Sequence, residues 1–381
     1  MRIVYCIAGT RHSGGMERVL ANKANWLVEH GHEVVIVTTD QHGELPFFNL
    51  DTRIECYNLA INYEDNNGGS FLNKAFKYPF KQLRHRRKLA ELLGDLKADV
   101  VVSMFCNDAS FLPFINDGSA KVLEIHFSRF KRLQYNRKGI WGFTDRLRSA
   151  QDLKTAAGFD RFVVLTREDS ANWPGLNNLS VISNARSFRA DKRAALENKI
   201  VIAVGRICHQ KGFDRLIDAW RIVCASNNEW KLRIVGSGAL ESDLRRQIAA
   251  CGLEGSVEIC PASSAEMPGV YSDASVLVMT SRYEGLPMAL LEAQACGLPV
   301  VSFDCKCGPR DIIRDGQNGY IVPDGDTDML AKRLLVLMND DKLRHKMGEK
   351  AYIDSEDYSE DRIMQQWIRL FEAASKSKKG K

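Results

Sequence analysis

The sequence has no run of apolar residues close to the roughly 18 that a membrane-spanning helix requires. Its first residues, MRIVYCIAGT, contain one Arg and a short apolar stretch, and no small-residue cleavage site follows them. This pattern is typical of a β-strand rather than of a secretory signal peptide. We therefore expect a cytoplasmic protein.

A strong excess of one charge and metal-binding cysteine motifs are also lacking. The 53 Lys and Arg residues nearly balance the 48 Asp and Glu residues, which leaves a formal net charge of +5. Nucleic-acid-binding domains concentrate far more positive charge on one face, so we expect no nucleic-acid partner. The ten cysteines are scattered, and the C-x-C pair Cys305 and Cys307 has no second pair or His cluster near it. We expect buried thiols and no metal site.

What the sequence does contain is an alternation of short β-branched runs with helical stretches. An apolar run at 2–7 leads into the loop AGTRHSGG, a helix is expected from about Met16, and the run EVVIVTT follows. This order within about forty residues predicts a parallel βαβ unit. The first series of strands continues through DVVVSM, KVLEIHF, RFVVLT and NLSVISN, and a second runs through KIVIAVG, KLRIVGSG, SVEIC, SVLVM, PVVSF and GYIV.

The two series predict two doubly wound, Rossmann-like α/β domains with parallel sheets. We assign the first domain to 1–186 and the second to 199–357. The segment 187–198 is polar and lacks strand character, so it is predicted to be a linker. Residues 358–381 are predicted to form a C-terminal helix with a basic tail.

The segment SRYEGLPMALLEAQACGLPVVSF carries two carboxylates at a strand end. Glu284 lies in the loop after the run SVLVM, and Glu292 lies on the predicted helix that Pro287 begins. Open α/β sheets bind ligands at the carboxyl ends of their strands. A carboxylate there can bind paired sugar or ribose hydroxyls, and the helix N-terminus offers N–H groups to phosphate oxygens. Taken alone, the two residues also fit a solvated loop charge and a helix surface charge.

Two cations follow another strand in the segment VGRICHQKGFDRLIDAW. Arg206 and Lys211 lie between that strand and the next helix, where fixed positive charges can neutralise a diphosphate. Surface charges on a loop would give the same pattern. The segment IVGSGALE, which contains Gly236, is a strand followed by a glycine turn and a helix, and by itself it is weak evidence of nucleotide binding.

These segments resemble those of the retaining glycosyltransferases of family four, found in bacterial surface-polysaccharide biosynthesis. The motifs G-R-x4-K-G-F-D-x-L-I, I-V-G-S-G and S-x2-E-G-L-P-x4-E-A-x-A-C-G-x-P-V-V occur in that order, and the resemblance covers nearly the whole chain. It implies the GT-B fold, in which two Rossmann-like domains face each other across a cleft. It also implies that the first domain binds acceptor, that the second binds the nucleotide sugar, and that the last helix crosses back to the first domain.

The resemblance implies a role for each matching residue. Arg206 and Lys211 would bind the diphosphate, Glu292 the ribose hydroxyls and Glu284 the donor sugar. The segment SGGMERVLANKANWL is similar to the family's Gly-Gly loop, and EIHF to the segment that places a His, here His126, beside the transferred sugar. The implied catalytic groups are His126, Glu284, Arg206 and Lys211. The implied donor-binding residues are Gly14, Gly15, Arg206, Lys211, Gly236, Cys260, Glu284, Gly285, Leu286 and Glu292.

The implied reaction is transfer of a hexose or N-acetylhexosamine, with retention of configuration, to a glycan or lipid-linked acceptor. A UDP-sugar is the first expectation for the donor and GDP-mannose the second. The resemblance implies that Cys260 and its neighbours contact the base, but the loop there, CPASSAEM, lacks the Gly that often begins it in the family, so the base stays open. No cofactor and no metal are expected. A nucleotide-sugar epimerase of the same fold and a non-catalytic nucleotide-sugar-binding protein are the alternatives. An NAD-dependent dehydrogenase is disfavoured because the first loop lacks G-x-G-x-x-G.

Two basic segments stand out in the expected acceptor domain. Residues 71–90 contain seven Lys or Arg and no acid, interleaved with aromatic residues, and residues 128–148 add seven more against one Asp. This composition suits an anionic membrane surface or a lipid-diphosphate acceptor, which would place the protein at the inner face of the plasma membrane. A solvated helix face with one buried apolar side fits the same composition.

Overall fold

The computed structural model describes residues 1–66, 71–129, 140–190, 192–261, 263 and 266–380. They form two compact units. The first unit comprises Met1–Leu165, Asp169–Ser183 and Asp361–Lys381, and the second comprises Thr166–Glu168 and Asn184–Glu360. The final helix is therefore grouped with the first unit.

The first unit contains a parallel sheet whose described strands follow the order β3-β2-β1-β4-β5-β6-β7. The strands are β1 (Arg2–Ile7), β2 (Glu33–Thr38), β3 (Glu55–Asn58), β4 (Val100–Ser103), β5 (Ala120–Glu124), β6 (Arg161–Val164) and β7 (Leu179–Val181). The described helices are α1 (Gly15–Glu29), α2 (Phe71–Leu96) and α3 (Ile140–Ala157), with 3₁₀ turns at Tyr63–Asn66 and Leu112–Phe114. The short helix α4 (Arg167–Ser170) begins in residues grouped with the second unit and ends in residues grouped with the first. The central strands are Val- and Ile-rich because helices cover both faces of a parallel sheet.

The second unit contains a parallel sheet whose described strands follow the order β10-β9-β8-β11-β12-β13. The strands are β8 (Ile200–Val204), β9 (Lys231–Val235), β10 (Val257–Cys260), β11 (Val276–Met279), β12 (Val300–Phe303) and β13 (Gly319–Val322). The helices are α5 (Phe213–Ser226), α6 (Glu241–Ala250), α7 (Met267–Ser272), α8 (Met288–Ala295), α9 (Pro309–Ile312), α10 (Thr327–Asn339) and α11 (Asp341–Ser355). Short 3₁₀ turns occur at His209–Lys211 and Glu356–Tyr358.

Both sheets confirm the expected doubly wound α/β architecture. In each, the chain winds outward in one direction from the first strand and then returns to the other side of it. The two switch points are the gaps between β1 and β4 and between β8 and β11. Ligands bind at the carboxyl ends of the strands beside such a switch point. The topology therefore directs attention to the loops that follow these four strands.

The last helix, α12 (Glu360–Lys379), is amphipathic, and its apolar side is buried. Its buried residues recur at helical spacing, which is the pattern of a helix with one face against a core. They are Ile363, Met364, Trp367, Leu370, Phe371, Ala374 and Ser375. Within the part of the chain that the structure describes, no helix combines the length and the apolarity needed to span a bilayer.

The segment predicted as a linker lies against the second unit where it is described. Leu196 is 4% exposed, and the Ala194 N–H donates to the Cys296 carbonyl at 2.9 Å. The guanidinium of Arg193 stacks 3.5 Å from the ring centroid of Tyr352. Polar composition thus did not reveal the packing of this segment, which depends on a few individual residues.

Candidate functional site

The loops after β8 and β9 pass close to each other because glycines occupy the contact. Gly236 has a φ of +151°, and a Cβ atom on it would lie 2.0 Å from the carbonyl oxygen of Gly205. A Cβ atom on Gly238 would lie 2.2 Å from the carbonyl oxygen of Ile207. Only glycine fits such positions without moving backbone. The predicted donor residue Gly236 therefore has a packing role of its own.

An ion pair lies in the loops that follow β8 and β11, beside the switch point of the second sheet. Lys211 Nζ lies 2.7 Å from Glu284 Oε1, and the Ser281 hydroxyl donates to the same oxygen at 2.6 Å. Gln210 Nε2 lies 3.4 Å from Glu284 Oε2. The side chain of Glu284 is 7% exposed and that of Lys211 is 21% exposed. The structure thus brings two of the predicted site residues into direct contact.

This contact keeps Lys211 charged. Burial by itself would lower the pKa of Lys211, but the neighbouring Glu284 carboxylate raises it, and the net shift is upward. An ammonium group has three N–H donors, so a bond to Glu284 leaves donors for another anionic partner. The pair can therefore receive a ligand that carries both an anionic group and hydroxyls.

The backbone around Glu284 is held from both sides. Its N–H donates to the Lys306 carbonyl at 2.7 Å, and the Cys307 N–H donates to the Glu284 carbonyl at 3.1 Å. Gly308, with a φ of +105°, packs against Pro287, and a Cβ atom on Gly308 would lie 2.6 Å from Pro287 Cδ. Replacement of Gly308 would therefore disturb the loop that carries Glu284.

The next two predicted residues expose no side chain that could bind a ligand, which leaves only their backbone groups for such a contact. Leu286 is 7% exposed, so its side chain belongs to the core, and Gly285 has no side chain. Pro287 precedes the first residue of α8, and its side chain makes no cap hydrogen bond. The first backbone N–H groups of a helix lack intrahelical partners and favour anions.

Glu292 is held by a tyrosine that sequence analysis did not identify. It lies on α8 and is 7% exposed. Tyr271, a fully buried residue of α7, donates its hydroxyl proton to Glu292 Oε2 at 2.6 Å. A short charge-assisted bond of this kind restricts the carboxylate to one orientation. The sequence offered only a general signal for this contact, since a Tyr hydroxyl that becomes buried requires a hydrogen-bond partner.

Among the described residues, no hydrogen bond or ion pair joins Arg206 or Cys260 to the Lys211–Glu284 pair. Arg206 is exposed, and among the described residues its side chain makes no hydrogen bond or ion pair. Cys260 ends β10, the edge strand, which β8 and β9 separate from β11. Positions 262, 264 and 265 of the loop after Cys260 lie outside the described residues, and with them part of the expected base contact.

Arginine side chains brace the same loops. Arg282 donates to both carboxylate oxygens of Asp214, at 2.9 and 2.5 Å, and to the His209 carbonyl at 2.8 Å. Arg215 donates to the Thr280 carbonyl at 2.7 Å. The motif G-F-D-x-L-I includes Asp214, but no pattern in the sequence pairs it with Arg282. These contacts connect the loop after β8 to the loop after β11.

The cysteine pair has a structural explanation. Cys305 and Cys307 are 2% and 1% exposed, and burial raises the pKa of the Cys305 thiol. Within the described residues, no group of three or more His, Cys, Asp or Glu side chains is arranged to hold a metal ion. The two thiols belong to the packing around the Glu284 loop.

In the first unit, Gly14 and Gly15 lie at the start of α1. Gly14 is the N-cap residue, and a Cβ atom on it would lie 2.0 Å from Glu17 Oε2. The Glu17 side chain therefore folds back over Gly14, while a Cβ atom on Gly15 would meet nothing within 4 Å. Gly15 thus leaves open space at the N-terminus of a 15-residue helix.

His126 follows β5, two residues after the last strand residue, Glu124. The His126 side chain is 8% exposed, and its Nε2 lies 3.1 Å from Glu124 Oε1 without the alignment of a hydrogen bond. Glu124 is fully buried. Sequence analysis named His126 but missed Glu124, although a carboxylate at the end of an apolar strand was itself a signal.

Two known families match this chain, and their matches meet where the second unit resumes at Asn184. The family "Glycosyl transferases group 1" matches residues 184–354, and "Glycosyltransferase Family 4" matches residues 13–185. A glycosyltransferase of Haemophilus influenzae is 30% identical over 374 residues, which cover 96% of this chain and 98% of the relative. The amylovoran biosynthesis glycosyltransferase AmsD of Erwinia amylovora is 29% identical over 377 residues, covering 96% and 98%.

A third relative, from Campylobacter jejuni, is 26% identical over 382 residues, covering 97% of this chain and 98% of its own. It is an alpha-1,4-N-acetyl-D-galactosaminyltransferase named for a PP-undecaprenol-linked acceptor. Among solved structures, TarM superposes with a TM-score of 0.81 at 19% identity, covering 97% of this chain and 98% of TarM. Anabaena HepE in complex with UDP superposes with a TM-score of 0.76 at 17% identity, covering 98% and 100%. The structural likenesses confirm the expected fold.

Proposed function

The chain belongs to the group 1 glycosyltransferases, and we propose that it transfers a hexose or N-acetylhexosamine from a nucleotide diphosphate sugar, with retention of anomeric configuration. The observation that carries this proposal is the Lys211–Glu284 pair, a cation and a carboxylate in contact at the carboxyl ends of parallel strands. Such a pair suits a donor that presents diphosphate and sugar hydroxyls together.

In this proposal the cations stabilise the leaving group. Negative charge grows on the diphosphate as the bond to the anomeric carbon breaks, and Arg206 and Lys211 supply positive charge for it. Glu284 binds hydroxyls of the transferred sugar, and Glu292, oriented by Tyr271, binds the ribose. The acceptor hydroxyl attacks from the face that the phosphate leaves, and a phosphate oxygen of the donor helps to remove its proton.

The comparisons support a choice of donor and acceptor. HepE was solved with UDP, which supports a UDP-sugar before GDP-mannose. AmsD is named for amylovoran biosynthesis and the C. jejuni relative for a PP-undecaprenol-linked acceptor, which together support a glycan or lipid-linked acceptor.

The test is an assay of the purified full chain with a panel of UDP- and GDP-sugars, with and without lipid-diphosphate and oligosaccharide acceptors. We expect one donor to be consumed with release of UDP, and proton NMR of the product to show the anomeric configuration of the donor. Conversion of one nucleotide sugar into another without release of UDP would instead identify an epimerase. Tight binding of a nucleotide sugar without turnover on any acceptor would indicate a binding protein.

We predict that transfer survives removal of divalent metal. Arg206 and Lys211 provide the positive charge that a metal would otherwise supply to the diphosphate. The measurement is the initial transfer rate after metal stripping, in excess EDTA. We expect a rate within about twofold of the untreated enzyme. Complete loss of activity that Mg²⁺ or Mn²⁺ restores would contradict this mechanism.

We also propose contact with an anionic membrane through α2. Phe80 and Leu83 are 63% and 69% exposed, and they line an open cavity of about 520 Å³ together with Arg84, Arg86 and Arg87. Exposed apolar side chains next to unburied cations suit the interface of an anionic bilayer.

Other basic residues of these segments have different surroundings. Lys81 and Lys88 donate to the backbone carbonyls of Asn62 and Leu59 in the same unit, so their ammonium groups bind protein backbone rather than lipid. Residues 130–139 of the second basic segment lie outside the described residues.

We predict that the change of Arg84, Arg86 and Arg87 to Gln weakens binding to phosphatidylglycerol vesicles by roughly thirtyfold or more. Each basic residue near an anionic surface contributes about 1 kcal/mol, and salt screens this attraction. Vesicle co-sedimentation at low and high salt measures the effect. The control changes the exposed residues Arg246, Lys342 and Lys346 to Gln, which alters the net charge equally. If the wild-type protein ignores anionic vesicles at low salt, the membrane proposal is wrong.

A further inference from the structure

A buried ion pair lies next to His126 in the first unit. Lys23, on α1, places Nζ 2.8 and 2.7 Å from the two carboxylate oxygens of Glu124, the last residue of β5. Glu124 is fully buried and Lys23 is 5% exposed. Desolvation makes such a pair no better for stability than two well-packed apolar residues. Its presence therefore invites an explanation other than folding.

The Glu124 carboxylate faces both Lys23 and His126. Its Oε1 atom is 2.8 Å from Lys23 Nζ and 3.1 Å from His126 Nε2. Burial by itself would raise the pKa of Glu124, but the charge of Lys23 and the neighbouring His126 ring lower it to about 2. Glu124 is therefore a permanent negative charge beside one nitrogen of the ring.

Lys23 is held in place from the other side by an aromatic ring. Its Nζ lies 3.5 Å from the ring centroid of Trp367, a residue of α12 that is 1% exposed. A cation over the face of a Trp ring is attracted by the ring's quadrupole, and more strongly where water is excluded. The ion pair thus joins the helix that begins at Gly15, the strand that leads to His126, and the last helix of the chain.

We propose that Lys23 and Glu124 are positioning residues that hold the His126 ring for the transfer reaction. This rests on the proposed function of the chain as a transferase in which His126 approaches the reacting sugar. A carboxylate beside Nε2 favours the ring tautomer that carries its proton on Nε2, which leaves Nδ1 as the hydrogen-bond acceptor. Lys23 binds both carboxylate oxygens of Glu124 and so fixes the carboxylate beside the His126 ring.

The test replaces the ion pair by apolar residues of similar size, Lys23→Met with Glu124→Leu, in the full chain. Because neither charge is left unpaired, the fold should remain stable, and thermal melting checks this. The matched control is Lys121→Met with Asp117→Leu, which removes another buried ion pair that involves the same strand. Each variant is compared with wild type and with His126→Ala.

The first readout is ¹⁵N NMR of the histidine rings, which does not depend on activity. The His126 signals are identified by their loss in His126→Ala. We expect the Nε2-protonated form in wild type and in the Lys121/Asp117 control, and a mixture of ring forms in the Lys23/Glu124 variant. An unchanged His126 ring form in the Lys23/Glu124 variant would overturn the proposal, whether or not the chain proves to be a transferase.

The second readout is kcat with the donor that the wild-type enzyme consumes. We expect the Lys23/Glu124 variant to fall at least tenfold, to the level of His126→Ala, while KM for the donor stays within about twofold. Addition of His126→Ala to the pair variant should cause no further loss, because residues that act through one another are not additive. Multiplied losses, or a wild-type kcat in the pair variant, would show that the pair does not act through His126.

Discussion

Replacement of Lys211 by Met is expected to lower kcat/KM for transfer by roughly ten- to a hundredfold. Its ammonium contacts Glu284 at 2.7 Å and is one of the two cations proposed to bind the diphosphate. A charge-assisted hydrogen bond contributes about 1.5–3 kcal/mol, and each 1.36 kcal/mol corresponds to a factor of ten. Steady-state kinetics with saturating acceptor measure the change.

The control for this variant is Lys199→Met. Lys199 also pairs with a glutamate, Glu229, but the two side chains are 55% and 66% exposed. Surface pairs contribute little to stability, so we expect this variant to behave like wild type. Retention of wild-type kcat/KM by Lys211→Met would remove the Lys211–Glu284 pair from the proposed site.

Replacement of Glu292 by Ala is expected to weaken UDP binding by roughly tenfold or more. Loss of the carboxylate removes the proposed ribose contact and leaves the buried Tyr271 hydroxyl without the partner that it has at 2.6 Å. The loss of a charged acceptor costs about 1.5–3 kcal/mol of binding free energy. Isothermal calorimetry with UDP measures the dissociation constant, and thermal melting checks the fold.

Two comparisons separate ligand contact from a structural role. Glu254→Ala removes an exposed glutamate of the same unit and should leave UDP affinity unchanged. Tyr271→Phe keeps the carboxylate but releases its orientation, so it should weaken UDP binding less than Glu292→Ala. Equal UDP affinity in wild type and Glu292→Ala would show that Glu292 serves only to satisfy Tyr271.

The fold was largely accessible from the sequence because its signals are local. The Val- and Ile-rich runs that predicted strands correspond to β1, β2, β8 and β11, whose residues are buried as in a covered parallel sheet. Alternation of strand and helix then restricts the topology, since crossovers between parallel strands have one hand. The family motifs similarly named Lys211, Glu284 and Glu292 as site candidates.

The residues that orient the site side chains could not be found from local patterns or motifs. Tyr271 lies 21 positions before Glu292, and Lys23 lies 101 positions before Glu124, so no sequence period connects them. Gly236 was named as a donor residue, yet the close passage of the Gly205 backbone is what requires glycine there. Each of these relations exists only after two separate helices, strands or loops have been brought side by side.

The sequence by itself determined the two doubly wound parallel sheets and the type of chemistry at their strand ends, because hydrophobic periodicity and short motifs act over a few residues. Only the tertiary structure decided which side chains meet. The contact of Lys211 with Glu284 spans 73 positions, and that of Lys23 with the Trp367 ring joins the two ends of the chain. Distance and burial set the strength of a charge interaction, and both arise from packing rather than from spacing along the chain.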